Sequence, residues 1–375
     1  MPTLDEGLPA NADPNATRPR AASAQVTPTL IGDALLDTTA QHELRTALRE
    51  LLAAAAVNAA HERPSSNAAE GPSIWRLMTS LLARAGVATD ADSQHRQRMW
   101  DTLSVAAQEL GRVTVDVPFL TSSVAAVTMT ERSAQHALTS ALRRGATTAV
   151  FLTPYEQPFR LNSTGSFHDG KVWASVPGVA GARQADLMLI LSGDKLLGVE
   201  SAWAELRTTE SLDATRTLAD VTLTGAHATV LAEDERALAA VARASQAASA
   251  MLSVEQASLA ETCLRIFSRD REVASVEQLR AGVDKAAGAA HYAVQCLAAD
   301  DPHTDVAVAT ARMVCSTVSV RVASAVRQTR CSDSRAVFRL SERARGGAMA
   351  FGGPQWHRRR LAQLLTSPVA VDNPH

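Results

Sequence analysis

The chain has 375 residues, 46% of them hydrophobic and 20% charged, which suits one large core or two to three smaller ones. With 37 Lys and Arg against 39 Asp and Glu its formal net charge is −2, which argues against electrostatic capture of nucleic acid or anionic lipid. Aromatics are only 4% and alanine dominates, so helices packed through small side chains are expected, and no run is expected to reach the ~20 apolar residues of a membrane span.

The opening segment, MPTLDEGLPANADPNATRPRAASAQVTPTL, is rich in Pro, Ala, Asn and Thr and has no apolar stretch of signal-peptide length. Residues 1–30 therefore read as a disordered tail and the protein as cytoplasmic. From 31 to 145 the apolar spacing is helical, in DALLDTTAQHELRTALRELLAAAAVNAA, SIWRLMTSLLARAG, RMWDTLSVAAQELG, FLTSSVAAVTMT and SAQHALTSALRRG. Gly86, Gly111 and Gly145 each follow a helix, where a C′ glycine would relieve left-handed strain. A turn is expected between Gly111 and Pro118, with Phe119 and Leu120 packing inward, and residues 62–73 read as a surface loop.

From 146 to 228 short β-branched runs replace the helical spacing: TTAVFL, VWASV, DLMLIL, LLGVES and ADVTLTG. HDGK and SGDK between them are hairpin turns by composition, so this region reads as a small β-barrel or sandwich. From 229 to 368 the chain is helical again, in ALAAVARASQAASAMLSVEQASLAETCLRIF, EQLRAGVDKAAGAAHYAVQCLAA, DVAVATARMVCSTVSVRVASAVRQ and WHRRRLAQLL; this predicts a four-helix bundle, with 369–375 as a tail. The cysteines Cys263, Cys296, Cys315 and Cys331 form no C-x-x-C pair and read as small buried side chains, with no metal site implied. The expected fold class is α+β: helical domain, β-domain, helical bundle.

This order, together with several local segments, resembles the acyl-CoA dehydrogenase family over about residues 35–368. LARAGVATD and QELGRVTVDVPFL carry the resemblance in the first region, ARQADLMLIL and SLDATRTLADVTLTG in the second, and FGGPQWHRRRLAQLL near the end. The chain is most similar to a divergent member, like the actinobacterial subunits that work in unlike pairs. The resemblance implies α,β-desaturation of an acyl-CoA thioester. In that reaction a carboxylate removes the α-proton, FAD accepts the hydride, and hydrogen bonds stabilise the developing enolate.

The same resemblance nominates site residues. In LAEDERALAAV, Glu235-Arg236 roughly matches the Glu-Arg-Leu of one branch and makes Glu235 the candidate base, although an acidic first turn also complements a helix dipole. The other branch carries its base in a Glu-Gly-Thr context, where Phe351-Gly352-Gly353-Pro354 stands here without a carboxylate. Thr153 is retained from a flavin-contacting stretch, and Trp173 and Ser175 stand where the family sets a Trp-Ile-Ser against the flavin ring; a strand tryptophan is also an ordinary core residue. The Arg-x-Gln-Phe-Gly signature is missing from LRIFSRDREVASVEQLR, which leaves Arg269 and Arg271 for a cofactor phosphate or a solvated helix cap. RCSDSRA lacks the family's Gly-Gly-x-Gly, while Arg343-Ala344-Arg345-Gly346-Gly347 keeps part of a later segment. No P-loop, H-E-x-x-H or G-x-S-x-G motif is present.

The functional expectation is an FAD-linked acyl-CoA dehydrogenase component in fatty-acid or steroid side-chain breakdown. Its implied partners are an acyl-CoA substrate, a second acyl-CoA dehydrogenase subunit sharing the flavin, and an electron-transfer flavoprotein. Two readings stand beside it: a catalytically degenerate structural subunit, and a flavin-dependent monooxygenase or oxidase of the same fold.

Overall fold

A computed structural model describes residues 39–61, 70–82, 84–85, 93–123, 147–157, 165–268, 273–328 and 334–366. Three helices come first: α1 (Thr39–His61), α2 (Glu70–Leu82) and α3 (Ser93–Gly111), followed by a π-helical turn at Phe119–Ser123. Glu109, 1% exposed, docks α1 on α3 by accepting from Arg45 and Arg49, each at 2.9 Å. Phe119 and Leu120 are buried, as expected.

Gly111 does not play the C′ role expected of it. It is the last residue of α3 and is not left-handed; a Cβ there would lie 2.3 Å from the Glu255 carbonyl oxygen, so the missing side chain permits a close helix crossing. Gly86 and Gly145 lie outside the described residues.

Eight strands follow among the described residues: β1 (Ala149–Phe151), β2 (Gly165–His168), β3 (Lys171–Ala180), β4 (Leu187–Ser192), β5 (Lys195–Glu200), β6 (Ala204–Thr209), β7 (Leu218–His227) and β8 (Thr229–Glu233). They make two four-stranded sheets, ordered β1-β4-β5-β8 and β2-β3-β7-β6, with β1 and β4 parallel. The HDGK turn is a two-residue hairpin with Asp169 at φ 50° and Gly170 at φ 72°, a pair of positive values that matches the twist of the flanking strands. SGDK closes the β4–β5 hairpin at the Ser192–Lys195 pair.

β4 explains why DLMLIL is apolar without alternation. Met188 and Ile190 face the core between the sheets, while Leu189 and Leu191 face Ala237, Ala240, Val241 and Ala244 on the first bundle helix. Three strands were not among the expected runs, the first being β2, only four residues long and paired with β3. β6 alternates half-buried residues with solvent-facing Glu205 and Arg207 at a sheet edge, and β8 carries the sheet past residue 228 into the segment expected to open the bundle.

The bundle comprises α4 (Asp234–Phe267), α5 (Val273–Ala298), α6 (Thr304–Arg327), α7 (Ser334–Met349) and α8 (Pro354–Thr366). By length and mean hydropathy (1.2 and 1.4) α4 and α6 are apolar enough to cross a membrane, contrary to the expectation from the sequence. They are 72% and 56% buried over those windows, and α4 lines the shared core. Cys263, Cys296 and Cys315 are buried free thiols, as expected; Cys331 lies outside the described residues.

Gly111→Ala is expected to cost about 1–3 kcal/mol of stability through overpacking. Gly288→Ala on α5, where a Cβ meets nothing within 4 Å, should gain about 0.5–1 kcal/mol from helix propensity. Urea denaturation of both variants checks the pair.

Candidate functional site

The sandwich, the N-terminal helices and the bundle meet around a buried cluster of charge. The SLDATR segment between β6 and β7 supplies Asp213, Thr215 and Arg216; α4 supplies Glu255, and α7 supplies Arg343. All five are less than a tenth exposed. Arg216 donates to Glu255 Oε1, Arg343 Nε donates to the same oxygen at 3.0 Å, and Arg343 also reaches Thr215 Oγ1 at 2.8 Å and the Val115 carbonyl at 3.2 Å. Asp213 holds the segment in its turn by accepting from the Thr215 N–H at 2.9 Å. Gly346 leaves room for it, since a Cβ there would fall 2.7 Å from Asp213 Cβ.

Burial pushes the Glu255 carboxyl up, but Arg216 and Arg343 more than offset it, so it is held below its ordinary 4.5. An ionised carboxylate clamped by two guanidiniums is a weak base, poorly matched to removing an α-proton.

Two loops close over this cluster. Tyr155, just after β1, and Phe351, between α7 and α8, are each 2% exposed and pack edge to face with ring centroids 5.5 Å apart. The Phe351 N–H donates to the Tyr155 carbonyl at 2.9 Å, and the Arg216 guanidinium lies over the tyrosine ring, 5.6 Å from its centroid. Phe351 sits at φ 53°, a strained value for a bulky side chain, followed by Gly352 at φ 96°. Arg312 on α6, fully buried, holds that loop by donating to the Ala350 carbonyl at 2.7 Å and the Gly347 carbonyl at 3.0 Å. His357 Nε2–H donates to the Phe351 carbonyl at 3.2 Å.

The nominated residues do not converge on one place. Glu235 lies in the first turn of α4 and is exposed. Thr153 is half-buried just beyond β1. Trp173 and Ser175 share one face of β3; Ser175 is exposed, and Trp173 stacks on His168 at 4.2 Å and crosses Gly225, whose φ of 64° and missing Cβ leave room for the indole. Arg269 and Arg271 lie outside the described residues.

The cluster went unrecognised in the sequence, although a signal was there: Glu255 is the only charged residue between Arg243 and Glu261, and Arg312 the only one between Asp305 and Arg321. A lone charge inside a long apolar helix needs a buried partner.

On the family resemblance, desaturation would place a thioester between a flavin on the Thr153 side and a base on the Phe351–Gly352 side. Two carbon contacts of about 3.5 Å each require a gap of about 7 Å, whereas these loops are hydrogen-bonded to one another. The space left beside them, lined by Asp116, Pro118, Leu120, Tyr155, Gly181 and Arg216 among others, is ≈ 10 Å³. That is the lower limit for one water, about 10–15 Å³. The residues at this junction do not fit a flavin and a thioester.

No protein-family model matches the chain, and no curated protein matches it. Solved structures do. A variant of the Tcur3481-Tcur3483 steroid ACAD aligns with a TM-score of 0.70 at 18% identity, covering 87% of this chain and 97% of that one. The ChsE4-ChsE5 complex from Mycobacterium tuberculosis aligns at 0.74 with 15% identity, covering 89% and 99%. Butyryl-CoA dehydrogenase from Megasphaera elsdenii aligns at 0.71 with 12% identity, covering 88% and 99%. The chain has the acyl-CoA dehydrogenase fold.

Glu255→Gln is expected to lose about 3–5 kcal/mol of stability at neutral pH in urea titration, because it leaves buried arginine charge uncompensated. Burial, helped by the Arg312 charge, pushes the His357 imidazole from 6.5 down to about 3. The unfolded chain therefore takes up a proton that the folded one refuses, and this contribution to stability is lost as pH falls from 6.5 toward 3. Melting curves between about pH 7 and 5, where most carboxylates stay ionised, should slope for the native chain and flatten for His357→Gln.

Proposed function

We propose that this chain is the non-catalytic subunit of a hetero-oligomeric acyl-CoA dehydrogenase, paired with a second subunit of the same fold that supplies the base and holds the FAD. The observation that carries this reading is the Phe351 N–H bonded to the Tyr155 carbonyl, with both rings buried where base, substrate and flavin would have to stand in line. The exposed Glu235 and the carboxylate-free Phe351–Pro354 stretch support it further. Two of the structural neighbours, Tcur3481-Tcur3483 and ChsE4-ChsE5, are themselves named as pairs, the first of them a steroid ACAD. The first suggests a steroid-derived acyl-CoA as the substrate class of the assembly, and another neighbour, named for the electron transferring flavoprotein of Acidaminococcus fermentans, suggests such a flavoprotein as its acceptor. FAD, held by the partner, supplies the hydride acceptor; this chain supplies the shape of the bundle against which the partner docks.

Co-expression with the product of an adjacent dehydrogenase-fold gene tests the reading. The expected result is a stable complex with flavin absorbance near ~450 nm and a turnover unchanged by Glu235→Gln in this chain. Stoichiometric flavin and acyl-CoA oxidation by this chain alone, abolished by Glu235→Gln, would overturn it.

A further inference from the structure

Away from the junction, α3, α4 and α5 leave a cleft of ≈ 260 Å³ between them. At roughly 30 Å³ per water it has room for about nine water volumes. Its floor is apolar and made of small residues: Val254, Ala257, Val283 and Ala290. The helices do not collapse onto it because they are tied at other points. Gly111 sets the α3–α4 crossing against the Glu255 carbonyl, Ser258 Oγ donates to the Gln108 carbonyl at 2.6 Å, and Arg280 pairs with Glu261 at 2.7 Å.

The cleft is electrically lopsided. Ser104 and Gln108 on α3 and Arg112, the residue just after it, line the cleft at four-residue spacing. Arg112 lies 3.3 Å from Glu109, but it shares that carboxylate with Arg45 and Arg49. The charges of Arg49, Arg265 and Arg45 all disfavour its protonated form, in addition to burial, and only Glu109 opposes them. Of the acidic side chains on the wall, Glu261 is paired with Arg280 and Asp284 is exposed to solvent. Arg112 therefore faces the cleft with only a shared carboxylate beside it, next to an aliphatic floor, and His291 also stands in the lining.

We infer that this cleft binds an amphipathic monoanion, its aliphatic body on the alanine and valine floor and its charged head at Arg112. Arginine suits the head because its planar donors match a carboxylate or sulfate, and a partly desolvated guanidinium surrounded by like charge gains most from a new counter-ion. A neutral chain of the same length would leave that charge unanswered.

The test uses the full chain and decanoate, followed by calorimetry and by thermal shift, with decanol as the uncharged control. Decanoate should bind saturably and raise the melting temperature, and decanol should bind at least ~10-fold more weakly. Arg112→Gln should weaken decanoate at least ~10-fold. Ala287→Phe, at an exposed position on the rim, should fill the cleft and abolish binding without disturbing the fold, which the far-ultraviolet spectrum reports. Absence of saturable binding to the native chain, equal affinity for decanol, or binding unchanged in either variant would overturn the assignment.

Discussion

The contact on which the rest of the molecule depends is one carboxylate oxygen, Glu255 Oε1, shared by Arg216 and Arg343. Three segments far apart in the chain meet there with almost no solvent: a loop of the sandwich, the longest helix of the bundle and a later bundle helix. Dehydrating three charges is expensive, and mutual attraction repays it only when the geometry is complete. That requirement fixes how the sandwich sits on the bundle. The glycine at 346 and the turn held by Asp213 follow from the need to bring those side chains into contact.

Above this cluster the structure is closed by packing. The neighbouring loops present two aromatic rings to each other, joined by a main-chain hydrogen bond, and Arg312 secures the strained backbone of Phe351 from below. Arg312 itself has no carboxylate among its hydrogen-bond partners, which are two backbone carbonyls and the side-chain oxygen of Gln256, and burial pushes its guanidinium down to about 10. A cation placed at the carbonyl end of α7 is stabilised by the helix dipole, which explains how a buried arginine is tolerated there. The result is a closed joint above the Glu255 cluster, held by a main-chain hydrogen bond and an edge-to-face ring pair.

Some elements were legible because their pattern is local. The two hairpin turns are specified by Asp-Gly and Gly-Asp pairs, and the long apolar helices by spacing alone. Others failed for reasons equally physical. β6 is an edge strand whose exposed Glu205 and Arg207 read as loop. α7, with several arginines and a Gly-Gly pair, does not read as a helix, yet both glycines are there because a Cβ would strike Asp213 at 2.7 Å or Gln256 at 3.0 Å. The nominated site residues came from matching short motifs, and motif matching cannot say whether Trp173 faces a ligand or, as here, stacks on His168.

By itself the sequence determined most of the elements and the helical, β, helical order of the chain, since spacing, turn chemistry and apolar runs act over a few residues. It also held the isolated charges Glu255 and Arg312, though not their partners. Only the tertiary structure decided that Arg216 and Arg343 answer the first, and that Tyr155 and Phe351 close the joint above them. Pairing between residues 39 and 88 positions apart, as at Glu255, or farther, as between Tyr155 and Phe351, depends on how whole layers dock, and no local pattern encodes that distance.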